Sequence, residues 1–205
     1  MNYEITNEKF KNLNHDIVIL ATGAKPFIPK IEGVQGKNVY LANDVLMGIH
    51  VVCNKRVLML GGGLVGCETA EFLLQYQNHV DIVDMIPEFA VGMNKYPRAI
   101  LLNELLTHDS KFYTETKILK INEDGILGMK DEKEILLSGY DVIILALGSK
   151  SYQPLTNMAD CNFETYVIGM QIMCKMRNMR YSMPQNSLYL YRRYYYVILK
   201  KIKKK

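Results

Sequence analysis

The stretch Arg56-Val-Leu-Met-Leu60, Gly61-Gly-Gly-Leu-Val-Gly66, Cys67-Glu-Thr-Ala-Glu71, closed by His79-Val-Asp-Ile-Val-Asp84, decides the fold. Arg56 to Leu60 is an apolar run of the length a buried strand needs. Gly61 to Gly66 fits G-x-G-x-x-G. Beyond it, Val65, Thr69, Phe72, Leu73 and Tyr76 recur on one face of a helix. His79 to Asp84 is rich in β-branched residues and reads as a second strand. Strand, glycine turn, helix and strand within about 30 residues make a βαβ unit with parallel strands and a right-handed crossover. The expected fold class is α/β, a Rossmann-like domain.

Working outward, a helix is expected near Lys95 to His108. Phe112 to Ile121, Gly125 to Lys130 and Glu134 to Leu137 read as strands, divided by the polar turns Asn122-Glu-Asp124 and Asp131-Glu-Lys133. They predict a β-meander crossover inserted into the α/β domain. Asp141-Val-Ile-Ile-Leu-Ala-Leu-Gly148 then returns as a buried strand ending in a glycine turn. Upstream, Asp16-Ile-Val-Ile-Leu-Ala-Thr22-Gly23 has nearly the same form. Two prolines in Ala24-Lys-Pro-Phe-Ile-Pro29 prevent helix and favour an extended link. The echo predicts two related domains, the first represented by residues 1–47 and its last strand. Residues 48–150 form the second, 151–169 return to the first, and 170–205 are a separate tail.

A dinucleotide brings two negative phosphates close to backbone. Gly61 permits the tight turn, Gly63 clears the side from which a pyrophosphate approaches, and Gly66 lets the helix pack against the sheet. The amides of residues 61–66, Gly62, Leu64 and Val65 included, lie where a helix N-terminus offers free N–H groups and the positive end of its dipole. Asp84, at the end of the second strand, can accept hydrogen bonds from ribose hydroxyls. It would repel a 2′-phosphate, and Met85, Ile86 and Pro87 carry no charge to receive one. NADH is therefore expected over NADPH. The alternative is a bare glycine turn with Asp84 solvated at a strand end.

Composition narrows the rest. The chain has 205 residues, 49% hydrophobic and 22% charged, enough for one domain or one and a half. That excludes a collagen, a coiled coil and a disordered polymer. The charged N-terminus carries no secretory signal, and no apolar run reaches the roughly 18 residues of a membrane span, so a cytoplasmic protein is expected. Cys53, Cys67, Cys161 and Cys174 form no close pair, and His15, His50, His79 and His108 have no metal spacing. The histidines read as surface or capping residues. No catalytic triad can be assembled and no metal ligand is assigned.

These residues resemble the C-terminal region of FAD- and NAD(P)H-dependent oxidoreductases of the pyridine nucleotide–disulfide reductase superfamily. The resemblance lies in Asp16 to Pro29, Arg56 to Glu71, Val83 to Gly92 and Asp141 to Gly148. It is nearest to the NADH:flavin oxidoreductase branch containing 2-enoate reductase and 2,4-dienoyl-CoA reductase. It implies that Gly61, Gly63, Gly66 and Asp84 hold NADH and that Glu68 lies near the nicotinamide end. Gly148 joins the cofactor-binding set, and Thr22 and Gly23 belong to the junction with an FAD domain, of which this chain carries partial segments. In such enzymes hydride passes from NADH to FAD and electrons continue through an iron–sulfur cluster to an FMN barrel. The barrel, the cluster cysteines and the first domain's opening βαβ unit have no counterpart here. The resemblance therefore implies a module that is weakly active or inactive alone, a non-catalytic nucleotide-binding remnant, or a subunit completed by the FAD/FMN portion as a separate chain.

The tail is different in kind. Of 25 Lys and Arg, ten lie in residues 170–205, which hold no Asp, Glu, Gly or Ala; residues 1–169 keep 15 against 21 acids, a net charge of −6. Tyr166-Val-Ile-Gly169 resembles the family's terminal strand, which continues Gly-Asp-Ala, but Met170 follows. Read one base out of frame, a Met codon gives a codon ending in AT and then one beginning with G. Residues 170–183 become compatible with a string opening Asp-Ala. A reading-frame shift after Gly169 is expected, and no nucleic-acid or membrane role for the basic tail.

Overall fold

The computed structural model describes residues 4–155 and 162–168. The expected tail and frame shift fall on residues outside that range. The chain divides into two compact units, Met1–Lys25 with Lys150–Lys205, and Pro26–Ser149. In chain order the elements begin α1 (Asn7–Lys11), β1 (Ile17–Leu20), β2 (Ala24–Pro26), β3 (Val39–Leu41), α2 (Ala42–Leu46), β4 (Arg56–Leu60), α3 (Leu64–Leu74) and β5 (His79–Val83). They continue α4 (Lys95–Thr107), β6 (Phe112–Tyr113), β7 (Lys117–Asn122), β8 (Gly125–Lys130), β9 (Lys133–Leu137), β10 (Val142–Leu145), β11 (Ser149–Ser151) and β12 (Glu164–Val167). The fold class is α/β, as the sequence predicts.

In the second unit a five-stranded sheet runs β3-β10-β4-β5-β6, every neighbouring pair parallel. Its strands β4 and β10 are buried on both faces, which is why they read as apolar runs rather than alternating patterns. Val57, Met59, Val80, Ile82, Val142 and Ile144 face the helical layer, built by Ala42 and Val45 of α2, Ala70 and Leu73 of α3, and Leu101 and Leu105 of α4. Leu58, Leu60, Val83, Ile143 and Leu145 face the other way, against Ile121, Ile126 and Tyr140. There the antiparallel meander β7-β8-β9 covers the sheet. Fully burying each such side chain is worth about 1.5–3 kcal/mol. A glycine inside a helix costs about 1 kcal/mol relative to Ala, so packing rather than propensity holds α3.

Three differences from the sequence reading have physical causes. The buried face of α3 is Gly66, Cys67, Thr69, Ala70, Leu73 and Leu74, while Val65 and Tyr76 are exposed. Small residues set the helix close to the sheet, and hydrophobicity patterns underweight them. The single strand expected over 112–121 is two, β6 and β7, in different sheets. Between them Glu115 adopts φ 54°, and the amides of Glu115 and Thr116 donate to the carbonyls of Ile86 and Asp84. Finally, residues 26–47 pack with the second unit, where β3 pairs with β10.

In the first unit β1 pairs in parallel with β12, from Ile17 opposite Glu164 to Leu20 opposite Val167. A small core of Phe10, Leu20, Leu155 and Phe163 supports them, with Phe10 and Phe163 edge to face at 5.2 Å. Strands β2 and β11 form a two-stranded ladder. No helix among the described residues is long and apolar enough to cross a membrane.

Candidate functional site

The turn from β4 into α3 is shaped by what each glycine can and cannot tolerate. Gly61 has φ 113°, and a Cβ there would sit 2.5 Å from the carbonyl oxygen of Ala146. A Cβ on Gly66 would run into the carbonyl oxygen of Gly61, and one on Gly62 into the ring of Phe89. At Gly63 a Cβ would meet nothing within 4 Å. Three glycines are thus pressed against protein and one faces open space.

The hydrogen bonds divide the turn the same way. Gly61 N–H donates to the Val83 carbonyl at 2.9 Å. Gly62 N–H donates to Asp84 Oδ2 at 2.6 Å. The Gly62 carbonyl accepts from the Ala90 amide at 2.7 Å and from Cys67 Sγ at 3.3 Å. The first bond of α3 runs from Cys67 N–H to the Gly63 carbonyl, and Gly63 caps the helix without a side chain. The N–H groups of Gly63, Leu64, Val65 and Gly66 have no partner among the described residues. Four orphan donors at a helix N-terminus, beside a glycine with open space on its side, form a site for an anion.

Asp84 is half-buried, and its carboxylate is already engaged. Beyond Gly62, its Oδ1 accepts from the amides of Met85 at 2.6 Å and Ile86 at 3.4 Å. Glu68 is exposed on α3, one turn into the helix. Gly148 lies three residues past Leu145, which pairs with Leu60 at the same sheet end; it has φ 88°, and its carbonyl accepts from Phe27 N–H at 2.9 Å. Thr22 and Gly23 belong to the other unit. There Thr22 Oγ1 donates to the Tyr152 carbonyl at 2.6 Å, and the Gly23 carbonyl accepts from Tyr152 N–H at 3.0 Å.

The sequence reading missed Phe89, Ala90 and Arg98, which brace the turn from the 84–98 segment. No periodicity or spacing marks them. Cys67 is fully buried, and its thiol is pushed up to about 11, chiefly by desolvation. Asp81, by contrast, had a signal, an acid in the middle of an apolar strand. It is 1% exposed and accepts from Tyr140 Oη at 2.7 Å and Lys111 N–H at 2.8 Å, with His79 Nε2 at 3.2 Å. Burial, then donation to Asp81, raises the Tyr140 phenol above its ordinary value. His50 stacks on Tyr40, and His108 Nδ1 lies 3.0 Å from the Glu104 carbonyl at the end of α4. A depression of about 630 Å³ opens at the N-terminal ends of β4 and β5, lined by Arg56, His79, Ser110 and Lys111 among others. It is at the opposite strand ends from the glycine turn and includes none of the candidate residues. Among the described residues no group of three His, Cys, Asp or Glu is placed to hold a metal ion.

Residues 2–170 match the family model described as pyridine nucleotide-disulphide oxidoreductase. The chain is 33% identical over 171 residues to an NADH oxidase of Thermoanaerobacter brockii, covering 79% of this chain and 26% of that protein. It is 45% identical over 85 residues to a cinnamate reductase of Clostridium sporogenes, covering 42% of this chain and 12% of that one. Its fold is similar to that in a 2-naphthoyl-CoA reductase complex, with a TM-score of 0.72 and 25% identity over 84% of this chain and 26% of the other. The chain thus spans about a quarter or less of the length of these three proteins.

Proposed function

Since the chain belongs to the pyridine nucleotide-disulphide oxidoreductase family, we propose that its β4–α3 turn holds NADH and that it is the pyridine-nucleotide module of an FAD-dependent oxidoreductase. The observation that carries the proposal is the set of four amides, Gly63 to Gly66, without a partner among the described residues, around the one glycine of the turn with open space beside it. The pyrophosphate lies on those amides, where the helix dipole adds to their attraction. An ionised carboxylate offers about four acceptor positions, and Asp84 has given three to backbone amides. Its remaining capacity and its charge suit a ribose hydroxyl and oppose a 2′-phosphate, which supports NADH over NADPH. Glu68, exposed on the same helix, and Gly148, on the same strand ends, are proposed for the nicotinamide side.

Bound NADH supplies a hydride, and the flavin of the whole enzyme receives it; the residues of this chain bind and orient. Thr22 and Gly23 are proposed for the flavin side. The chain is proposed to belong near the 2-enoate reductase branch, a reading that fits its similarity to a cinnamate reductase and to a 2-naphthoyl-CoA reductase. A second reading is a non-catalytic nucleotide-binding remnant or a subunit completed by a separate flavin-bearing chain. A cytoplasmic setting fits either reading.

The test is thermal unfolding of the purified chain with and without NADH, alongside its absorption spectrum. Saturation at a hundred times Kd stabilises the native state by about 2.7 kcal/mol. A raised midpoint is expected with NADH and a smaller one with NADPH at equal concentration. A flavin absorption band supports the module reading, and its absence favours the second reading. No rise with either dinucleotide removes both.

A further inference from the structure

The glycine turn is held from outside by a segment that follows Asp84. The ring of Phe89, 4% exposed, lies where a Cβ on Gly62 would go, and the Ala90 amide donates to the Gly62 carbonyl. Gly62 is therefore gripped on both sides of its peptide, by Asp84 at its N–H and by the 89–90 strap at its carbonyl and α-carbon. The strap itself is not relaxed. Ala90 has φ 51°, a left-handed conformation that costs an ordinary residue roughly 1–2 kcal/mol and persists only where the surroundings impose it.

Arg98 on α4 holds the strap from outside. Its Nε donates to the Phe89 carbonyl at 2.8 Å and its Nη2 to Glu88 Oε2 at 2.9 Å. The Glu88 carboxylate is largely exposed, so the ion pair alone contributes little. The bond to the Phe89 carbonyl is different: it is charge-assisted, and it fixes the carbonyl of the peptide linking Phe89 to Ala90. Phe112 meets the Phe89 ring edge to face at 5.1 Å and closes the far side.

We propose that Arg98 is a positioning residue for nucleotide binding: through the Phe89–Ala90 strap it fixes the Gly62 peptide and so aims the Gly63, Leu64 and Val65 amides outward. This rests on the nucleotide reading of the turn. Without Arg98, Ala90 relaxes from its left-handed conformation, the strap lifts, and the amides lose their common aim.

The test compares NADH affinity, by fluorescence titration, in the wild type, Arg98→Met and Arg98→Met/Ala90→Gly. Arg98→Met should raise Kd about tenfold with the fold intact. Ala90→Gly should recover part of that loss, since glycine holds φ 51° without strain; a merely structural role for Arg98 gives no such rescue. Amide hydrogen exchange reads the same device without nucleotide: Gly62 N–H should exchange faster in Arg98→Met while Leu58 and Met59 stay protected. If Arg98→Met does not fold, Arg98→Lys, which keeps the charge but loses the fork, takes its place with a smaller expected loss. A wild type that does not bind NADH overturns the nucleotide reading, while unchanged Gly62 exchange in the variant overturns the strap. A wild type that binds, with a variant that binds as tightly, overturns the strap alone.

Discussion

Gly63 and Gly66 lie three residues apart and should respond oppositely to a side chain. At Gly66 a methyl group meets the Gly61 carbonyl oxygen, which is backbone and cannot turn aside. Gly66→Ala should cost about 1–3 kcal/mol of stability, the range for overpacking a core. Gly63, at φ −70° and ψ −174°, already has the extended conformation of a helix N-cap, with space around it. Serine is preferred there, because its hydroxyl accepts from an amide of the first turn. Gly63→Ser should therefore preserve or raise the urea midpoint while weakening NADH binding tenfold or more, since it fills the approach and occupies an orphan donor. Loss of stability at residue 63, or undiminished NADH binding by the serine variant, would break the assignment of roles to these two glycines.

Among the elements, the β8–β9 hairpin shows how local strain can be read and relieved. Lys130 pairs with Lys133, leaving Asp131 and Glu132 as a two-residue loop with φ 49° and 60°. Positive φ at both positions marks a type I′ turn, which favours Asn-Gly or Asp-Gly. Glu132→Gly supplies Asp-Gly and should raise stability by about 1 kcal/mol, seen as a higher urea midpoint. A lowered midpoint would contradict the turn assignment. The sequence already showed this turn, as it showed β4, the glycine turn and β10, because parallel strands buried on both faces leave unbroken apolar runs and Gly61 marks their end; β5 showed through its β-branched residues, although Asp81 interrupts it. It did not show the buried face of α3, where Gly66, Cys67 and Ala70 pack by being small. Nor did it show the break at Glu115, a left-handed residue flanked by two threonines with no glycine or proline to announce it. Phe89 and Arg98 were invisible for another reason: their roles exist only once distant segments meet at Gly62.

For the molecule as a whole, the buried acids of the second unit predict alkaline sensitivity. Cys67 is held up to about 11 by burial, and the Tyr140 phenol is held above its ordinary value by burial and by its bond to Asp81. Unfolded, these groups lose protons near their ordinary values of 9.0 and 10.0, while the folded chain retains them. Above pH 9 the unfolded state thus binds fewer protons, so stability is intact below that pH and falls as pH rises towards 11. Each group contributes up to about 1.4 kcal/mol per pH unit. The thermal midpoint should drop between pH 9 and 11, and the drop should be shallower in Cys67→Ala/Tyr140→Phe; an equal slope in that variant would place the titration elsewhere.

The whole account turns on four amides meeting a pyrophosphate, and amide NMR of the 15N-labelled chain titrated with NADH observes them individually. The N–H signals of Gly63, Leu64, Val65 and Gly66 should move together along one saturating curve, with Gly61, whose N–H is already bonded to Val83, moving less. Signals from those four that stay in place while NADH saturates the chain, or no saturable change anywhere, would contradict it.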